Sequence, residues 1–122
     1  LDRAIFGAFK ALTNNSAITV TNVTVASNTV AAGMLRYAVH VTDGTDLQVE
    51  EGIISYHVTN KAGTIANNTT VKSANQQAAT AGTLTVTWTI TAANPALLQV
   101  NANSSLTPTT KLSVLVQRSP GT

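Results

Sequence analysis

The chain contains no cysteine, which excludes a disulfide framework, a thiolate metal site and a cysteine nucleophile. Charge is scarce as well: charged residues make up 10% of the 122 residues, against about a quarter in an ordinary globular domain. The basic residues Arg3, Lys10, Arg36, Lys61, Lys72, Lys111 and Arg118 are scattered, with no two adjacent. Such a distribution forms no stripe that could neutralise a phosphate backbone, so nucleic acid is not an expected partner. Long apolar runs are missing too. A membrane-spanning helix needs about 20 such residues, so no membrane span is expected. There is neither a glycine-rich phosphate loop nor a nucleophile-elbow pattern. Catalysis is not expected, and neither is a bound cofactor.

What the chain has instead is alternation. From Thr83 to Thr91 every second residue is threonine, and Leu84, Val86, Trp88 and Ile90 stand between them. Side chains of a strand point alternately to opposite faces, so this spacing sends the four apolar residues into a core and the threonines to a neutral hydroxyl face. Leu35, Tyr37, Val39 and Val41 repeat the pattern, as do Leu98, Val100 and Ala102, and then Leu112, Val114 and Val116. Hydrophobic residues reach 43%, which is enough to fill a core and argues against disorder.

Breaks in phase mark bends and turns. Ile18 and Val20 share one phase while Val23 and Val25 share the other, which implies a bulge or tight turn near Thr21-Asn22. Asp43-Gly44 and Asn60-Lys61-Ala62-Gly63 read as turns. Between them, Leu47 and Val49 fall on the opposite phase to Ile54, Tyr56 and Val58, so a bulge is expected at Glu51-Gly52-Ile53. Residues 64–82 are polar and alanine-rich; the reading is an edge strand at Thr69 to Lys72 and an irregular connection over 73–82. Six to eight short strands follow, and with them an all-β, antiparallel β-sandwich of jelly-roll or immunoglobulin-like type.

The first residues stand apart. Asp2 can cap a short helix, and Leu1, Ile5, Phe9 and Leu12 recur at helical spacing, although Gly7 weakens the helix and leaves a β reading open. The expected organisation is an N-terminal arm or helix over 1–16 and a sandwich over 17–122. Leu1, Ile5, Phe6, Phe9 and Leu12 are the candidate docking residues for a neighbouring subunit or particle. The first residue is Leu1 rather than Met, which leads us to expect a preceding piece.

Candidate chemistry is thin. Asp43, Asp46, Glu50 and Glu51 gather within nine residues, but their spacing does not match a calcium loop, and Glu50 and Glu51 fall on opposite faces of a regular strand. His40 and His57 both fall on outward phases and could approach each other through the Asp43-Gly44 hairpin, yet two ligands without a third make no metal site. Glycosylation sequons begin at Asn14, Asn22, Asn67, Asn68 and Asn103.

Two segments, Tyr37 to Asp46 and Leu84 to Asn94 followed by Val100 to Thr107, resemble small β-sandwich structural proteins of tailed bacteriophages, found as capsid decoration proteins, head fibres and tail-fibre domains. The resemblance implies a non-enzymatic virion protein that associates with itself, as a homotrimer or a lattice, and with other virion proteins. It brings no catalytic residue. The alternative is an immunoglobulin-like adhesin or a receptor- or carbohydrate-binding module on a phage or bacterial cell surface. Its recognition loops would be Asp43–Asp46, Asn67–Gln77 and Asn103–Thr110.

Overall fold

The computed structural model describes residues 3–4, 10–106 and 111–118, with side chains described for 10–67, 76–106 and 111–117. Every regular element among them is a strand: β1 (Arg3–Ala4), β2 (Lys10–Ala11), β3 (Ile18–Val23), β4 (Thr29–Thr42), β5 (Leu47–Lys61), β6 (Thr64–Ala79), β7 (Leu84–Ile90), β8 (Ala96–Ser104) and β9 (Lys111–Arg118). They form two antiparallel sheets. The larger runs β1-β9-β4-β5-β6, with β2 also on β9, and the smaller runs β3-β8-β7. This is a β-sandwich. The chain passes from the small sheet to the large one twice, from β3 to β4 and from β8 to β9, so that β3 pairs with β8 while β4 pairs with β9.

The alternating positions build the core. Leu35, Tyr37, Val39 and Val41 of β4 and Leu112, Val114 and Val116 of β9 meet Leu84, Val86 and Trp88 of β7 and Leu98, Val100 and Ala102 of β8, all of them buried. The β3 bulge appears as a register shift between Thr19 and Thr21. Beyond β3, Val25 is clamped at the edge of the core. Asn94 accepts from its amide at 3.2 Å and donates to its carbonyl at 3.1 Å, and Asn60 donates to the same carbonyl at 3.0 Å.

Both expected turns are present. Lys61 pairs with Thr64 across a two-residue loop in which Ala62 and Gly63 have φ of 51° and 92°, the left-handed pair that a type I′ hairpin requires. At the other hairpin, Asp43 Oδ1 accepts from the amides of Thr45 and Asp46 at 2.9 and 2.7 Å. These two bonds hold the Asp43 carboxyl below the usual carboxylate range.

Three expectations change. First, β5 pairs with β4 without a register shift from Leu47 to Asn60, so its phase never flips. Gln48 and Glu50 are the buried residues and Leu47 and Val49 face outward. The irregularities lie on the other side of the strand, between Glu51 and Ile53 and between Ser55 and His57, where β5 meets β6. Second, residues 64–79 are not a short edge strand and an irregular connection but one 16-residue strand. β5 spans 15 residues and β4 spans 14, so the central strands are long rather than short. Third, the described parts of the N-terminal arm are not helical: Arg3–Ala4 and Lys10–Ala11 pair antiparallel with β9. The strand was the other reading of those residues. An edge strand's unpaired peptide groups offer hydrogen bonds that a lone, Gly7-weakened helical turn cannot match.

Gly33 shows how tightly the inner layer is filled. It lies opposite Tyr56 in the β4–β5 register, and a Cβ there would stand 2.5 Å from the Tyr56 hydroxyl oxygen and 2.8 Å from the ring. The aromatic ring covers the space that the glycine leaves. Gly33→Ala is therefore expected to destabilise by about 1–3 kcal/mol through overpacking. Chemical denaturation should show it, and an unchanged midpoint would mean that the Tyr56 ring simply swings aside.

Candidate assembly surfaces

Three chemically distinct surfaces and layers follow from this arrangement. The outer face of the small sheet is neutral. Thr85, Thr87 and Thr89 lie opposite Asn103, Asn101 and Gln99, and side-chain amides bridge onward, Gln99 to Thr19 of β3 at 3.2 Å and Asn101 to Asn15 in the turn before β3 at 3.3 Å. This is the hydroxyl-rich face that the sequence pattern predicts.

Between the sheets lies a polar seam that the sequence does not announce. Gln48 and Glu50 are 2% and 5% exposed. Tyr37 donates its hydroxyl proton to Glu50 Oε2 at 2.5 Å, and Gln77 donates both to Glu50 Oε1 at 3.0 Å and to the Leu84 carbonyl at 2.7 Å. Ser104 donates to Gln48 Oε1 at 2.6 Å, while Gln48 donates to the Ala81 carbonyl at 2.9 Å. Two of these links, Gln77 to Leu84 and Ser104 to Gln48, join the large sheet to the small one. The seam thus acts as a directional fastener where apolar packing alone would let the sheets slide.

Burial, then the hydrogen bond to Glu50 and the charge of that carboxylate, push the Tyr37 phenol well above the ordinary tyrosine range, with Trp88 acting in the opposite direction. The consequence appears in alkali. Below pH 10 the proton is held in both the folded and the unfolded chain. Above it the unfolded chain ionises first, so stability falls by about 1.4 kcal/mol per pH unit as the pH climbs toward the folded value. Denaturation midpoints measured from pH 9 to 12 should fall more steeply for the wild type than for Tyr37→Phe. Parallel curves would refute the coupling.

The outer face of the large sheet is the third surface. Among the described residues Val30, Met34 and Leu47 are the exposed large hydrophobic ones, at 65%, 40% and 59%. All of them occupy this one face, because positions 30, 32, 34, 36, 38, 40 and 42 of β4 pair with 59, 57, 55, 53, 51, 49 and 47 of β5. Half-buried Val49, Ile53 and Leu115 belong to the same face. Near the Asp43 hairpin it sinks into an open, mainly apolar trough of about 700 Å³, whose lining includes His40, Leu47, Val49, Ala78, Lys111 and Ser113. Arg36, Glu51 and Lys111 are on this face as well, but aliphatic side chains and alanine stand among them where a water-facing sheet is normally more polar.

The remaining candidates do not converge. His40 and His57 are both exposed on the outer face, but His57 pairs with Ala32, eight residues along β4 from His40, a separation of about 26 Å. Glu50 faces inward and Glu51 outward, Asp43 is used by its own turn, and Asp46 accepts from Thr80 at 3.0 Å. Among the described residues no group of acidic and histidine side chains could hold a metal ion. Asn14 and Asn67 spend their amides on Ser104 and on the Ile90 carbonyl. Of the docking candidates, Leu12 packs against the chain's own core, while Leu1, Ile5, Phe6 and Phe9 lie outside the described residues. Sequence reasoning missed the outer-face surface because Leu47 and Val49 read as core. The available signal was the continuous alternation through Gln48, Glu50 and Gly52 to Ile54. Searches of protein-family models and of curated proteins return no match to this chain.

Proposed function

We propose that this chain is a non-enzymatic structural component of a phage virion, a capsid decoration protein or a fibre or tail element. It would act by associating with copies of itself, as a trimer or lattice, and by docking on other virion proteins. The observation that carries the reading is the concentration of exposed aliphatic side chains on one face of a rigid six-stranded sheet. In a solitary protein that face is an aggregation hazard; in an assembly it is a joint. The likeness of the Tyr37–Asp46, Leu84–Asn94 and Val100–Thr107 segments to phage sandwich proteins supplies the particle. A carbohydrate-binding reading has less behind it, since Tyr37, Tyr56 and Trp88 are all buried and offer no stacking platform. Virions encoded by the same genome and purified by density banding should contain the chain at many copies per particle. Its absence from banded virions, when it is present in the lysate, would overturn the proposal.

A further inference from the structure

The outer face of the large sheet is shaped unevenly, and the unevenness says what covers it. One end, toward Val30 and Met34, presents protruding aliphatic side chains; the other, toward His40, Leu47 and Val49, is the trough. Met34 and His40 are six residues apart on β4, a distance of about 20 Å, so a chain cannot fill its own trough with its own knob. A second copy turned end for end can.

We propose that this face packs against the same face of a second copy, related by a two-fold axis that crosses β4 between Arg36 and Ala38. This inference rests on the self-associating reading above and names one contact surface of its lattice form, since a two-fold contact does not close a trimer. The axis sets Met34 of each copy over His40 of the other, where it enters the trough beside Leu47 and Val49. Ala38 pairs with Glu51 and Arg36 with Ile53, and the same axis sets Arg36 of each copy over Ala38 of the other. This is the self-complementary arrangement of an isologous contact, in which residue i meets j and j meets i.

The available area is sufficient. β4, β5 and β6 are 14, 15 and 16 residues long and β9 is 8. At about 3.3 Å per residue and 4.8 Å between strands they present a face of roughly 800 Å². A stable interface takes about 800 Å² from each partner. Two sheets packed in this way lie about 10 Å apart, with interdigitated side chains.

The absence of native cysteine makes the test clean. Met34→Cys and His40→Cys are prepared separately, and a bis-maleimide of about 10 Å reach is added to each alone and to their mixture, because a direct disulfide needs closer Cα atoms. Strong cross-linking to a dimer mass is expected only in the mixture. Light scattering on the uncrosslinked protein should show association in the wild type and in Thr87→Asp, which alters the opposite face. Met34→Asp and Leu47→Asp should weaken association at least tenfold while keeping the wild-type circular dichroism spectrum. If association survives both aspartate variants and the mixture does not cross-link, this contact is wrong and self-association through another surface stands. A wild type that stays monomeric up to millimolar concentration overturns both.

Discussion

Replacing Trp88 with alanine is expected to cost about 3–5 kcal/mol. Trp88 is buried on the inner face of β7, an edge strand of the small sheet, in line with the buried Leu84 and Val86. Its ring meets that of Tyr37 at a centroid distance of 5.2 Å and an interplanar angle of 59°, a tilted geometry that adds to the burial itself. Alanine leaves a large void between two sheets that cannot collapse, because the seam at Gln48, Glu50, Gln77 and Ser104 holds their separation. Domains of this size have about 5–15 kcal/mol in all. The melting temperature should therefore drop by roughly 10–25 °C. Thermal melts followed by circular dichroism check this, with Trp88→Phe recovering most of the loss. A drop of less than a few degrees for the alanine variant would show that Trp88 is a lining residue and not the keystone of the core.

Glu50→Leu is the second large effect, and its logic is different. The carboxylate is buried and accepts from both Tyr37 and Gln77. Leucine removes the acceptor but leaves the Tyr37 hydroxyl in an apolar layer, and an orphaned buried donor costs about 1–3 kcal/mol on top of the lost charge-assisted bond. We expect a loss of about 2–4 kcal/mol. The double variant Glu50→Leu/Tyr37→Phe removes both partners and should recover at least about 1 kcal/mol of it, since an apolar pair of similar volume is often as stable as the polar one. A double-mutant cycle on urea denaturation midpoints measures this coupling. Additive losses would mean that Tyr37 and Glu50 stabilise the fold independently.

These expectations differ in how far they could be read in advance. The Trp88 effect was legible: strict alternation with threonine fixes which side of the strand is inside, and a tryptophan among Leu84, Val86 and Ile90 is core. The Glu50 effect was not. Gln48 and Glu50 sit on an inward phase, but polar residues on a strand ordinarily identify the water side. Leu47 and Val49 thus seemed to mark the core and Glu51-Gly52-Ile53 a bulge. What reversed the reading is a set of partners that are distant in the chain: Tyr37, Gln77, Ala81 and Ser104 supply the hydrogen bonds that make burial of Gln48 and Glu50 affordable. Strand β6 was illegible for a related reason. Its polar, alanine-rich sequence has weak intrinsic β preference, and its 16 residues extend because β5 offers a long edge to pair with.

By itself, the sequence determined the all-β class, the facing of the strands around Val39, Trp88 and Val114, and the turns at Asp43-Gly44 and Ala62-Gly63. All of these are encoded by periodicity and backbone preference within a few residues. Only the tertiary structure decided the phase of β5, the length of β6, the order of strands in the two sheets and the gathering of Val30, Met34 and Leu47 on one outer face. Those outcomes depend on which strand lies beside which, and the free energy of that pairing is set by contacts between residues far apart in the chain.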